Sequence, residues 1–227
     1  MSKQLPISGQ PRGKLPFAPE GWPFIIPTAV LMLIAFALCW TAVAVFLLLL
    51  LVFMLNFFRD PERNIPTGSD LFVSPADGKV ICAEEVDGHI RVDIFMNVFN
   101  VHVNRAPMAG RISHMQYFPG HFINASFDTA SEENERNRFE MECEDGCKIA
   151  FTQIAGLLAR RIVAYSEVGD RVETGQRIGM IRFGSRVNCE IPADYQLNVR
   201  VGEKVSAGST ILARRIAGES GEQDAEA

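Results

Sequence analysis

Between Phe24 and Phe58 the chain carries no charged residue, and Leu47 to Leu51 is an unbroken leucine run. As one helix this stretch would extend about 52 Å at 1.5 Å per residue, against a hydrocarbon core of about 30 Å. A membrane segment is predicted over 24–58, either as one tilted or protruding helix or as a shallow hairpin doubling back near Trp40-Thr41. Basic residues flank both ends: Lys3, Arg12 and Lys14 before, Arg59, Arg63 and Lys79 after. That pattern favours the hairpin, with both ends on the cytoplasmic side of the cell membrane. Pro27 is tolerated because it falls in the first turn. The apolar run is too long for a secretory signal, and no small-residue cleavage site follows it. Residues 1–23, rich in Pro and Gly, read as a flexible leader.

After the polar exit Arg59 to Pro66 the pattern changes to short alternating runs separated by turn residues. Lys79 to Val86, Ile90 to Met96, Val101 to Asn104, Lys148 to Ile154 and Arg160 to Tyr165 read as strands. Ser131 to Arg138 holds no apolar residue and reads as a solvated loop or helix start without a site. Residues 59–216 are therefore predicted to form a mainly β domain with few helices, able to fold without residues 1–58. Residues 217–227 read as a disordered tail.

The end of this domain contains a repeat. Val168-Gly169-Asp170-Arg171-Val172 recurs as Val201-Gly202-Glu203-Lys204-Val205, and Gly175 and Ile178 recur at the same offset as Gly208 and Ile211. Two such copies predict the halves of a small quasi-symmetric β-sandwich. The arrangement resembles the biotinyl/lipoyl-type module, which carries its prosthetic group on a lysine in the hairpin between the halves. Ser185 holds that lysine's place, so the resemblance covers scaffold and not cofactor. A serine after glycine on a tight turn can attack the preceding carbonyl. Ester formation, elimination to dehydroalanine and hydrolysis then leave an N-terminal pyruvoyl group. Gly184-Ser185 also reads as a plain turn.

Composition narrows the setting. The 227 residues allow one globular domain plus an appendage, and a net charge of −5 gives no nucleic-acid footprint. The cysteines at 39, 82, 143, 147 and 189 are odd in number. Cys143 and Cys147 lack a second pair or a nearby histidine to complete a zinc site, so free thiols in a cytoplasm and no metal are expected.

Three further phrases carry candidate chemistry: Ser74-Pro75-Ala76-Asp77-Gly78, Val101-His102-Val103-Asn104-Arg105-Ala106-Pro107, and Pro119-Gly120-His121-Phe122. Followed in order by Phe183-Gly184-Ser185-Arg186, they make the chain from about Phe57 to Arg214 resemble the short form of the phosphatidylserine decarboxylases. The resemblance implies a proenzyme cut between Gly184 and Ser185 into a large chain, 1–184, and a small chain, 185–227. Ser185 would become the pyruvoyl group and the Schiff-base partner of the phosphatidylserine amine. Decarboxylation would then yield phosphatidylethanolamine and carbon dioxide, with no metal or external cofactor. Asp77 and His102 stand where the family's assisting aspartate and histidine do. A triad is expected, with imidazole as base and carboxylate as orienter.

Longer family members carry two histidines in the second phrase, which leaves His102 to serve both maturation and turnover. Unperturbed, it would fail as a base below about pH 6.5. Arg105, Arg111, Arg182 and Arg186 are the candidates for the lipid phosphate. The partners implied are the bilayer and phosphatidylserine, with room for a homo-oligomer. A membrane-anchored biotinyl/lipoyl-like carrier and a non-enzymatic β adaptor remain as alternatives.

Overall fold

The structure, a computed structural model, describes residues 16–120, 133–156, 161–182 and 185–216. Residues 1–15 of the expected leader and the expected tail, 217–227, lie outside the described residues. A 3-10 turn, Pro19–Gly21, leads into α1 (Trp22–Ala37), and α2 (Thr41–Phe57) follows a break at Leu38–Trp40. Cys39 makes that break with φ of 58°. The helices return on each other: Thr28 Oγ1 donates to Met54 Sδ (3.5 Å) and the Phe24 ring stacks on Phe58 at 5.8 Å. The long apolar stretch is therefore a helical hairpin.

Its arms of 16 and 17 residues span about 24–26 Å, short of a full crossing of the hydrocarbon core. With its preceding turn, Pro19–Ala37 is long and apolar enough to cross a membrane. The outer faces expose Ile26, Leu33, Phe36, Phe46 and Leu49, apolar exposure that fits a lipid environment. The last part of the expected leader is not loose. Ala18 N–H donates to the Phe58 carbonyl (2.8 Å) and Asp60 N–H to that of Pro16 (2.7 Å), so the segment runs beside the exit from α2.

The described β domain holds β1 (Leu71–Val73), β2 (Gly78–Val86), β3 (His89–Met96), β4 (Val103–Arg105), β5 (Gly110–Phe118), β6 (Arg136–Cys143) and β7 (Lys148–Ala155). It continues with β8 (Arg161–Ala164), β9 (Arg171–Val172), β10 (Arg177–Arg182), β11 (Ser185–Pro192), β12 (Tyr195–Leu197), β13 (Lys204–Val205) and β14 (Ile211–Arg215). An eight-stranded antiparallel sheet runs β13-β2-β3-β11-β7-β6-β5-β9, with two three-stranded sheets, β1-β14-β12 and β4-β10-β8. The order is palindromic about the β11–β7 pair. Each copy of the repeat is split, giving one edge strand of the large sheet (β9 or β13) and the central strand of a small one (β10 or β14).

A second duplication, missed in the sequence, completes the pseudo-symmetry. Ser74-Pro75 to Gly78-Lys79-Val80 matches Ala106-Pro107 to Gly110-Arg111-Ile112. Val80 bonds the turn at Gly202 and Glu203, and Ile112 bonds the turn at Gly169 and Asp170 in the same way. Gly78 and Gly110 are required at matching places, since a Cβ would collide with the Phe95 carbonyl at one and the Glu142 carbonyl at the other.

The inner face of the large sheet carries Val92, Ile94, Val187, Cys189 and the stacked pair Phe139–Phe151 (4.8 Å). A second cluster joins Phe57 and Phe58 of the hairpin's end to Val101, Val103, Val163, Tyr165 and Met180. The hairpin is thus rooted in the domain and not merely tethered to it. Burying a phenylalanine of this kind is worth about 3–5 kcal/mol against alanine. Removing residues 1–58 is therefore expected to lower the unfolding midpoint of the β domain markedly. Phe57→Ala alone should lower it by several degrees, as read by thermal unfolding in detergent.

The alternation located β2, β3 and β7 to within a residue at each end, and set β4 one or two residues early. It failed at 131–138. Within the described part, Asn134 and Asn137 are fully buried and β6 begins at Arg136. Asn134 Nδ2 caps the Ala155 carbonyl (2.7 Å) and Asn137 faces inward opposite Gln153, so these polar residues are interior ones.

Candidate active site

Ser185 opens β11, at the point where the chain leaves the small sheet of β10 for the large one. Phe183 and Gly184 lie outside the described residues. A hairpin was expected between the two repeat copies; among the described residues β10 and β11 belong to different sheets and do not pair with each other. Ser185 is instead held between two strands, opposite Met96 of β3 and Ala155 of β7. Its side chain is fully buried, and Oγ has no hydrogen-bond partner among the described residues. An unpaired buried hydroxyl costs about 1–3 kcal/mol, and such atoms concentrate where chemistry needs them.

The same strand end leads to His102. Beyond Met96 the chain turns through Asn97–Asn100, pinned by Asn100 Oδ1 accepting from Asn97 N–H (2.9 Å), and reaches His102. The His102 carbonyl accepts from Ile181 N–H (3.2 Å). One short loop therefore links β3, the strand beside Ser185, to β4, with His102 just before β4 begins. The ring is fully buried and packs against Phe57 at 4.2 Å. Its Nδ1 lies 3.0 Å from the Asn100 carbonyl, which can only accept, so Nδ1 carries the proton. Nε2 is then a bare acceptor with no partner among the described residues. Burial pushes the ring's pKa down to about 4, with the Arg59 charge adding to the effect.

Asp77 is placed differently from the expected triad. Its carboxylate oxygens each lie 2.9 Å from Arg63 Nη2, and Oδ1 accepts from Ala207 N–H (2.8 Å). No hydrogen bond joins it to His102; the Asn100 carbonyl does the orienting that a carboxylate was expected to do. Asp77 fixes the exit segment after α2 against the turn before β14. Nothing in the sequence pattern links Asn100 to that task, because a backbone carbonyl leaves no residue-type signal.

The four candidate arginines separate clearly. Arg105 is buried and bonded to Asp60 and to the Gly175 carbonyl, a structural role. Arg186 is fully buried with Asp93 and points to the face opposite Ser185. Arg111 is exposed and bonds the Gly169 carbonyl. Arg182, half buried near the Phe24 ring (5.8 Å), lies directly opposite Arg161 in the β10–β8 pairing. Among the described residues one group could hold a metal ion: Cys143, Asp145 and Cys147, their ligand atoms within 4.8 Å of one another, with Asp145 ion-paired to Arg215. It sits at the β6–β7 turn. His121 lies outside the described residues.

Comparison with known proteins fits this geometry. The sequence profile of the family described as phosphatidylserine decarboxylase matches residues 50–213. A phosphatidylserine decarboxylase proenzyme of Paraburkholderia phymatum is 46% identical over 202 residues, covering 86% of this chain and 95% of its own. One from Ralstonia nicotianae is 46% identical over 202 residues, 86% and 94% of the two chains. One from Desulfotalea psychrophila is 46% identical over 210 residues, 89% and 98%. The chain belongs to the phosphatidylserine decarboxylase family. The matched span begins inside α2, so it takes in Phe57 and Phe58 together with Asp77, His102 and Ser185. In this member of the phosphatidylserine decarboxylases, the end of the apolar hairpin and the buried histidine are one packed unit.

Proposed function

We propose that the chain cleaves itself between Gly184 and Ser185 and decarboxylates phosphatidylserine at a membrane surface, using a pyruvoyl group formed from Ser185. One observation carries the reading: a buried hydroxyl without a partner among the described residues is paired opposite Met96, and a buried neutral imidazole with a bare Nε2 stands at the far end of the short loop that leaves Met96. That pair fits the formation of a pyruvoyl group, which needs a serine nucleophile and a nearby base. His102 takes the Oγ proton as Ser185 attacks the Gly184 carbonyl. The Asn100 carbonyl keeps the tautomer fixed. Asp77 acts as a positioning residue, through Arg63 and Ala207. Once formed, the pyruvoyl group supplies a carbonyl that takes up the substrate amine and accepts the electron pair released as carbon dioxide departs.

The surroundings suit a lipid substrate. Phe57 brings the apolar hairpin into contact with His102, and Arg59 Nη2 bonds the carbonyl of Phe99, whose side chain is exposed. Arg182 and Arg161 oppose one another, like charges that an anion between them would stabilise. Arg182, three residues from Ser185 in the chain, is assigned to the phosphodiester. The basic flanks of the hairpin support a position for this domain on the cytoplasmic side of the cell membrane. Full-length protein in mixed micelles should release label from carboxyl-labelled phosphatidylserine. Arg182→Gln should still self-cleave while raising KM about tenfold with little change in kcat. An uncut wild type that releases no label would overturn the reading.

A further inference from the structure

The β6–β7 hairpin turns on Glu144-Asp145-Gly146, with Gly146 at φ of 81°. Gly146 N–H donates to the Cys143 carbonyl (3.0 Å) and Cys143 N–H to that of Cys147 (2.9 Å), which closes a three-residue loop. Cys143 and Cys147 are therefore the closing pair, and directly opposed residues present their side chains on one face of the sheet. It is the core face: Cys143 is buried in the main hydrophobic cluster and Cys147 packs against it. A third sulfur meets them there. Met108, from the link between β4 and β5, places Sδ 3.9 Å from Cys143 Sγ. Tyr195 of β12 donates its hydroxyl to Met108 Sδ (3.5 Å), and the same hydroxyl lies 4.0 Å from Cys147 Sγ. Met108 and Tyr195 are no more than 3% exposed. A cleft of about 240 Å³, lined also by Leu71, Asp145 and Thr174, opens on Cys143 and Met108. The chemistry at Ser185 uses none of these groups. Cys147 stands just before β7 and Ala155, the partner of Ser185, ends it, so about 27 Å of strand separates the two places.

We infer that Cys143, Cys147 and Met108 form a three-sulfur site for Cu(I). Two thiolates and a thioether are soft donors, the set that selects this ion over harder divalent cations. Zinc matches the set poorly, because structural zinc sites take four thiolate, imidazole or carboxylate ligands and no thioether. Metal–sulfur bonds of about 2.3 Å in a trigonal plane set the sulfurs about 4.0 Å apart. Cys143 and Met108 already stand at that spacing. The two cysteine sulfurs lie within 4.8 Å of each other, so closing on an ion needs only a small side-chain adjustment. Each Cu–S(thiolate) bond forms as the thiol gives its proton to solvent. The rim favours a cation, since Asp145 and Asp194 share the single charge of Arg215. Asp145 itself is engaged by Arg215, and its Oδ1 accepts from Cys147 N–H (3.1 Å); it shapes the turn and orients a ligand without being one. The bound ion ties the tip of the β6–β7 hairpin to the β4–β5 link, which passes from the small sheet to the large one.

The test titrates reduced full-length protein in detergent, without oxygen, against Cu(I) held by the coloured competitor bicinchoninate. Wild type should withdraw one Cu(I) per chain, and its thermal unfolding midpoint should rise as the site fills. Cys143→Ser and Cys147→Ser should each weaken uptake by more than about a hundredfold, beyond the loss of an outer-shell partner. Met108→Leu, close in volume, should weaken it at least about tenfold. Asp145→Asn should weaken it less than Met108→Leu does, and Cys82→Ser, in β2, should match wild type. No uptake by wild type, or uptake that survives both Cys143→Ser and Cys147→Ser, would overturn the site. A preference for Zn(II) that is lost in Asp145→Asn and kept in Met108→Leu would make it a carboxylate–thiolate zinc site and overturn the assignment as well. If the buried Cys143→Ser fails to fold, the partly exposed Cys147→Ser decides.

Discussion

Ser185→Ala is expected to leave one full-length chain and to bring lipid decarboxylation down to the uncatalysed background. The substitution removes only Oγ from a side chain that is fully buried and makes no hydrogen bond. Losing a buried hydroxyl without a partner should not weaken the fold, and relief of its desolvation should stabilise it slightly. The β11 pairings to Met96 and Ala155 are backbone interactions and stay in place. A folded, uncut and inactive variant therefore separates chemistry from stability. Thermal unfolding should lie at or above that of the uncut wild-type precursor, while denaturing electrophoresis shows no small chain. If Ser185→Ala still decarboxylates phosphatidylserine, Ser185 is not the source of the reactive carbonyl.

The second large effect is expected at His102. His102→Ala should give a folded precursor that cleaves at least about a hundredfold more slowly, the typical share of a positioned general base. His114→Ala, an exposed control, should mature at the wild-type rate. The pH dependence distinguishes this histidine from an ordinary one. Burial lowers its pKa from 6.5 to about 4, so Nε2 remains a bare acceptor well into the acid range. Cleavage should hold steady from pH 7 to about 5 and fall only as the pH approaches 4, not at the 6.5 expected of an unperturbed ring.

Stability follows the same shift. The folded pKa lies below the unfolded one, so the unfolded chain binds the proton first. The contribution is complete above pH 6.5 and is lost as the pH falls towards 4, by about 3 kcal/mol. A pulse-labelled cleavage series across pH, with denaturant unfolding at pH 7 and 4.5, reads both. A midpoint for cleavage near 6.5 would mean that the ring is solvated in the precursor.

Much of the architecture was legible because it rests on periodicity. Strands with one wet face alternate, and β2, β3 and β7 were found that way. The length of the uncharged run, set against a bilayer's thickness, left a tilted helix or a hairpin, and the basic residues at both ends favoured the hairpin. What escaped detection has physical reasons. Alternation treats polar residues as outward, so Asn134 and Asn137 read as solvated although they are interior. The repeat near the end of the chain was visible because its turns keep Val-Gly and a following acid. Its partner duplication, around Pro75 and Pro107, keeps only a proline, a glycine and a basic–aliphatic pair. Ser185 and His102 stood out through their phrases, yet the group that orients His102 is the carbonyl of Asn100, and no residue type encodes a carbonyl. Asp77 was visible as a residue but not by its partner, because an arginine on the membrane exit carries no signal for pairing with it.

The intact mass of purified full-length protein under denaturing conditions tests the central claim most directly. Two species are predicted, residues 1–184 and 185–227, the smaller lighter by one ammonia than the same peptide with a free serine and closed to N-terminal sequencing. A single uncut chain that decarboxylates phosphatidylserine, or a small chain that begins with an ordinary serine, would contradict the account.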